Sequence, residues 1–416
     1  MTLRRAVIAS VSVAGLLALG TALGLSGSAV VRAPTDFSIF YAAARVLAAG
    51  GNPYDWHALR QVVPTVPAPG YMYPLWGLAL VAPFAWLPLP VAAGIRLMLN
   101  LAALLIALRL LGRLAGIPGR SYLLPILFAL TCLSIPGLFV LIQGQIALIL
   151  LALIVAALAL ARAGRGGWAG VLLACALVKP QLTWLPALVV LAVALRGGVG
   201  RRALLGMGGT LAAGAALSFA LRPQWLGEWL RVLKDGARQS ASGTATANMG
   251  TLPALAAHLP PALGAALLLL AAGAAAALLL WQARQSGFLR AATASAATDL
   301  RLLAIAMCLV TVLSPWTFVY DGVLWLVPVV VALRARPAWR GWAALAVFGA
   351  LPWATRLAAV AAARGGTPLN HLEDVLIAPL LLALVCLPGA AATGRAAIPA
   401  IPASASQRPT PADQRT

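Results

Sequence analysis

Residues 73–91, YPLWGLALVAPFAWLPLPV, decide how the chain threads a bilayer, because every later segment changes side if this run crosses it. The run is apolar, and as a straight helix it would cover a hydrocarbon core of about 30 Å. Pro74, Pro83, Pro88 and Pro90 argue against that. Each removes a backbone donor, and a lipid-exposed carbonyl left without a partner is costly. The expectation is a broken, re-entrant or interfacial helix that returns to the surface it left.

The surrounding chain sets the class. Of its 416 residues, 62% are hydrophobic and 9% charged, with a mean hydropathy of +0.95. Apolar runs recur near 6–26, 92–111, 121–141, 146–161, 167–178, 182–195, 203–221, 262–281, 302–318, 322–333, 341–355 and 373–388. The fold class expected is an all-α polytopic membrane protein: one bundle of about 12 transmembrane helices, with a long first external loop carrying juxtamembrane helices. That domain takes residues 1–390. The tail 391–416, rich in Pro, Ala and Ser, is expected to be disordered and cytoplasmic. Arg4 and Arg5 precede an apolar stretch that runs on to Val31 without a clear small-residue cleavage site, which reads as an uncleaved first helix.

The net charge of +21 would suit nucleic acid, but the basic residues are scattered through short loops, so no nucleic-acid partner is expected. Their distribution fixes orientation instead. If 73–91 does not span and the N-terminus is cytoplasmic, 19 of the 30 basic residues fall inside with only Asp299 and Asp413, a net +17. The outside then carries +4 and the remaining seven acids. A spanning 73–91 would send most of the arginine-rich loops outward, against the positive-inside rule. Cys132, Cys175, Cys308 and Cys386 all lie in apolar runs without metal-like spacing and read as inert thiols.

This threading gathers the polar motifs on the outer side. Asp36 opens DFSIFYAAARVLAAGG, where Phe37, Phe40, Tyr41, Ala44 and Leu47 recur at helical spacing and Gly50–Gly51 supplies the stop. Asp36 reads equally as an N-terminal helix carboxylate or as a working acid at the lip of a bilayer. Asp55, in the turn Asn52–Pro53–Tyr54–Asp55, reads as structural. Lys179 in ALVKPQLTWLP is either a snorkelling lysine or a cation meeting a phosphate with the help of Gln181. Gln143 and Gln145 flank Gly144 and would bind helices together or hold a sugar hydroxyl. In SPWTFVYDG, Tyr320 and Asp321 follow a span, and the acid needs a water-filled cavity or a basic partner, an outer-face arginine being the structural alternative. His371 with Glu373 and Asp374 reads as a solvated loop, so no metal site and no cofactor is expected. No Walker motif, dinucleotide fingerprint or nucleophile elbow occurs.

The ordered set DFSIFYAAA, NPYD, YP before an apolar run, GQ, KPQL and SPWTFVYD resembles glycosyltransferase family 87, over roughly residues 1–390. The chain departs from the family's usual Tyr-Pro-Pro at Tyr73–Pro74–Leu75, and carries Tyr320–Asp321 where characterised mannosyltransferases tend to have histidine. The resemblance implies a GT-C-type helical bundle in the cytoplasmic membrane with its site facing outward. It implies a polyprenyl-phosphate sugar as donor, mannose by analogy, and a glycolipid or glycan acceptor. It also implies an essential aspartate in the first loop, here Asp36. On this reading Asp36 is the general base of an inverting transfer, and Lys179, Arg222 and Arg356 hold the donor phosphate. Gln145, Gln181, Tyr320 and Asp321 line the pocket. The chemistry is coherent: a departing lipid phosphate is a weak base that needs a cation rather than a proton, so one carboxylate suffices. Glycosidases, whose leaving group must be protonated, need two. The competing readings are a flippase for lipid-linked saccharides, which predicts inverted repeats and mid-span polar groups, and a non-catalytic subunit of envelope assembly.

Overall fold

In the computed structural model, the described residues are 21, 35–119, 121–241, 251–257, 259–288, 295–314, 316–335, 337–355 and 372–387. Among them every regular element is helical. The run 73–91 forms no helix long enough to cross a bilayer. It forms two 3₁₀ turns, Leu75–Leu80 and Ala82–Phe84, before the next helix begins at Leu89. At about 2.0 Å per residue the longer turn covers only about 12 Å, and the prolines sit where the turns start or break.

The first loop carries two helices, α1 (Thr35–Ala48) and α2 (Trp56–Val62). α1 ends as its glycines require: Gly50 has φ +78°, its N–H reaches the Leu47 carbonyl at 2.9 Å, and the Gly51 N–H reaches Val46 at 2.8 Å. α2 is capped by Asp55, whose Oδ1 accepts from the His57 N–H at 2.9 Å. Asp55 is thus accounted for by structure.

The long helix α3 (Leu89–Leu114) leads to a bent pair, α4 (Leu123–Leu133) and α5 (Ile135–Gln143), which meet at 66° around Ser134 and Pro136. Then follow α6 (Ala147–Arg162), α7 (Gly166–Ala176), α8 (Pro180–Arg196) and α9 (Gly200–Leu221). Beyond them lie α10 (Trp225–Ala241), the short α11 (Leu252–Ala256), α12 (Pro261–Gln285) and α13 (Ala296–Leu313). A 3₁₀ helix, Val319–Trp325, leads into α14 (Leu326–Arg334), α15 (Trp339–Gly349) and α16 (Leu372–Cys386).

α6, α8 and α13 form the centre, with α3 and α7 against α6, and α14 and α16 against α13. Leu148, Leu151, Ile154, Val155 and Leu158 of α6 are wholly buried, as are Leu303 to Cys308 of α13. α7 and α9 approach through Gly166, Gly170 and Gly206, whose Cβ positions are filled by the partner's backbone.

About twelve spans were expected. Among the described residues, four helices (α3, α9, α12 and α13) are long and apolar enough to cross a membrane, and a fifth span results if the bent pair α4–α5 counts as one. The runs at 146–161, 167–178 and 182–195 give helices of 16, 11 and 17 residues, because glycine and proline signals cut them short. The run at 322–333 is divided between the 3₁₀ turn and α14. The first run, 6–26, and the tail, 391–416, lie outside the described residues.

Candidate active site

Four segments far apart in sequence converge at one end of the central helices. Each is placed by a local feature. Asp36 lies in the first turn of α1, half-buried. Gln145 follows Gly144, which closes α5 with φ +79°. A side chain at 144 would put its Cβ 2.5 Å from Phe37 Cβ and 2.8 Å from Arg96 Cζ, so only glycine lets these elements meet. Lys179 sits outside helical space, at φ −120° and ψ 70°, because it precedes Pro180 at the start of α8. Asp321 is held in its 3₁₀ turn by the Phe318 N–H, which donates to Oδ2 at 3.0 Å.

The contacts between them are short. Gln145 Nε2 donates to Asp36 Oδ2 at 2.7 Å across 109 residues. Lys179 Nζ donates to Asp321 Oδ1 at 2.7 Å, with Lys179 2% and Asp321 0% exposed. The Lys179 ammonium lies 5.0 Å from the centre of the Tyr320 ring, and the Tyr320 hydroxyl neighbours the Asp36 carboxylate. Asp321, an acid that needed a cavity or a basic partner, has one in a lysine 142 residues earlier rather than in an outer-face arginine. Burial pushes the Asp36 carboxyl above its ordinary range, opposed by the Gln145 hydrogen bond and by the charges of Lys179 and Arg96.

A wall of aromatic residues supports Asp36. Tyr73 stacks on Phe40 with centroids 4.9 Å apart, and Tyr71 meets Phe40 edge-on at 5.7 Å. Tyr54 donates to the Tyr73 carbonyl at 3.1 Å, and Tyr71 to that of Pro74 at 2.9 Å. NPYD and the YP at residues 73–74 therefore act together as scaffold for α1.

The remaining expected residues are placed differently. Gln181 is half-buried in the first turn of α8. Arg222 stands apart from the cluster. It makes a bidentate pair with Glu228 at 2.5 and 2.6 Å and reaches the Gly51 carbonyl at 3.5 Å, at the opposite end of α1 from Asp36. Arg356 and His371 lie outside the described residues, as do the side chains of Glu373 and Asp374.

Two polar residues of the cluster were not singled out from the sequence. Arg96, in the second turn of α3, is 4% exposed; its Nη2 donates to the Leu141 carbonyl at 3.0 Å and its guanidinium lies 5.3 Å from the Phe37 ring centre. Asn100, one turn on, donates to the Gln145 carbonyl at 2.9 Å. The signal was present: an arginine and an asparagine inside an otherwise apolar run are expensive in a membrane unless used.

Opposite this cluster, the far ends of the same helices carry a basic belt. Arg162 at the end of α6 and Arg196 at the end of α8 both pair with Asp299, buried in the first turn of α13.

The profile of glycosyltransferase family 87 matches residues 71–315. That is more than half of the chain. It takes in Tyr73, Arg96, Gln145 and Lys179 and leaves Asp36 and Asp321 outside its limits. Comparison with curated proteins and with solved structures gives no match. On the family match, the chain belongs to glycosyltransferase family 87.

Proposed function

We propose that this membrane glycosyltransferase moves a sugar, mannose as the first candidate, from a polyprenyl phosphate to an extracytoplasmic glycolipid or glycan acceptor with inversion at the anomeric carbon. Asp36 takes the proton from the acceptor hydroxyl as its oxygen bonds to the anomeric carbon. The bond from that carbon to the phosphate oxygen breaks, and its electron pair leaves with the polyprenyl phosphate. The phosphate thereby goes from a singly charged diester to a more highly charged monoester, so positive charge near it favours the transition state over the bound donor. Lys179, fixed by Asp321, supplies part of that field, and Tyr320, Gln145 and Gln181 border the sugar.

The observation that carries this reading is the meeting of Asp36 with Gln145, Tyr320 and the Lys179–Asp321 pair at the ends of helices rather than at their midpoints. A transporter would be expected to place such groups at mid-span. The outward orientation is supported by the basic belt of Arg162 and Arg196, about 24–26 Å along α6 and α8 from the cluster at 1.5 Å per residue, since such belts favour the cytoplasmic side. The test is sugar transfer in liposomes from polyprenyl phosphomannose by the purified enzyme and by Asp36→Asn. A fall of about 10²–10⁴ in rate is expected from loss of the base. Wild-type rates in the variant would refute the assignment and favour a non-catalytic subunit.

A further inference from the structure

We propose that Arg96 is the direct ligand of the donor phosphate: a buried anion site formed by its two unpaired guanidinium donors, Nε and Nη1, beside Gly144. This inference rests on the phosphosugar donor proposed above and adds a residue to it.

The argument begins with what the other cations near the cluster are doing. Lys179 spends its charge on Asp321 at 2.7 Å, and Arg222 is held in a two-pronged pair with Glu228. Each is largely balanced by its own carboxylate, so neither offers a free donor to a phosphate without breaking a short ion pair. Arg96 differs. It is electrostatically attracted to Asp36 but makes no ion pair among the described residues, and its one hydrogen bond there goes to a neutral carbonyl. Its Nε and Nη1 have no hydrogen-bond partner among the described residues.

A buried arginine with two idle donors is an expensive object. Leaving a charged donor unpaired away from water costs more than the hydrogen bond it would make, and natural interiors rarely tolerate it. The missing partner has to be an acceptor, and an anionic one suits a charged donor best. Nε shares its edge of the guanidinium plane with Nη2, which already donates to Leu141, and Nη1 lies on the side away from Nε, so the two idle donors are separate and each can take one anionic oxygen.

The guanidinium lies 5.3 Å from the Phe37 ring centre and packs so close to Gly144 that any Cβ there would come within 3.0 Å of both Cζ and Nε. The same packing ties Arg96 to the base, because Phe37 is the next residue after Asp36. An anion at Arg96 and a proton acceptor at Asp36 would thus be close but not in contact. In-line displacement needs that separation, with the anomeric carbon between attacking and leaving oxygens. Gln145 Oε1 and Asn100 Oδ1 are also buried without a hydrogen-bond partner among the described residues, but these neutral acceptors are not bonded to Arg96 and leave its Nε and Nη1 unmet. They are suited to donors such as sugar hydroxyls.

Titrating wild type, Arg96→Gln and Arg96→Lys in nanodiscs with a polyprenyl monophosphate and with the matching polyprenol tests this. Wild type should prefer the phosphate. Arg96→Gln should lose about 10- to 100-fold of that preference with polyprenol affinity unchanged, and Arg96→Lys, which keeps the charge but not the planar guanidinium, should fall between. Should Arg96→Gln fail to fold, the lysine variant alone decides. Full preference in either folded variant, or an equal loss for both ligands as expected of a strut, overturns the assignment of Arg96 while leaving the donor class intact. Equal binding of phosphate and alcohol by wild type overturns the donor class itself, and Arg96 with it.

Discussion

Replacing Lys179 by methionine tests the electrostatic core of the cluster most directly. At 2.7 Å the Lys179–Asp321 attraction is about 6 kcal/mol gross at an effective dielectric of 20. Most of that offsets the cost of taking both ions out of water, so the intact pair adds little net stability. Removing one partner is different, because the survivor keeps its desolvation cost and loses its compensation. Among the described residues Asp321 would retain the Phe318 N–H, and Lys179 in the converse Asp321→Asn variant the Tyr320 ring face and the more distant charge of Asp36. Each single variant is therefore expected to lose about 3–5 kcal/mol, and the double variant Lys179→Met/Asp321→Asn less than either. Denaturant titration of the four proteins in mixed micelles, followed by tryptophan fluorescence, measures the cycle. Single losses below about 1 kcal/mol, or losses that simply add, would show that the two charges are solvated separately and would refute the buried pair.

Other expectations follow from the same geometry. Burial holds the Asp36 carboxyl above the ordinary range, and a base works only when deprotonated, so kcat/KM should fall as pH drops through a value higher than that of a solvated aspartate; a pH–rate profile checks it. Gln145→Leu removes the hydrogen bond that lowers this carboxyl, so the acidic limb should move to higher pH than in wild type. Gly144→Ala forces a left-handed residue and a Cβ into Phe37 and Arg96, costing about 1–3 kcal/mol by chemical unfolding and depressing transfer. Trp86→Cys and Tyr122→Cys, in a background lacking the four native cysteines, lie beyond opposite ends of α3 at sites 79% and 84% exposed. An impermeant maleimide added to intact cells should label position 86 and spare 122, and the reverse pattern would invert the orientation.

The parts of this arrangement that were legible in the sequence are those fixed by local chemistry. Four prolines break 73–91, Gly50–Gly51 stops α1, Asp55 caps α2, and Lys179 leaves helical space because a proline follows it. Charge counting likewise separated Arg162, Arg196 and Asp299 from the polar motifs, and the structure places those three together at the far end. What escaped was set by long-range packing. Asp321 was matched to arginines, yet its partner is a lysine 142 residues away, and no local pattern encodes that choice. Arg222 looked available because Glu228, six residues on, carries no sign of pairing until the turn between α9 and α10 folds them together. Arg96 was hidden inside an apolar run, where its polarity rather than its spacing was the clue. Span counting suffered for the same reason: hydropathy sees apolar length, whereas the Ser134–Pro136 break and the 3₁₀ turn at Val319–Trp325 are backbone events within apolar sequence.

Charge accounting joins the proposed base, the paired lysine and the arginine site into one mechanism. Before the donor arrives, Asp36 and Asp321 are balanced by Lys179 and Arg96, and a phosphodiester adds one negative charge. During transfer Asp36 gains a proton and loses its charge, while the departing phosphate gains one. The total inside the site is unchanged, so the reaction requires no net charge to be drawn from or expelled to the low-dielectric bundle. What moves is the position of one negative charge, from Asp36 to the phosphate. Arg96, attracted to Asp36 but not paired with it, lies where it loses an electrostatic neighbour as its proposed ligand becomes more anionic. A fixed cation in that position stabilises the end of the displacement more than its beginning, which is the differential a catalyst needs. Lys179, already neutralised by Asp321, cannot supply that difference alone. If the reasoning holds, Arg96→Gln should lower kcat as well as donor affinity, whereas a purely ground-state phosphate contact would raise KM and leave kcat unchanged.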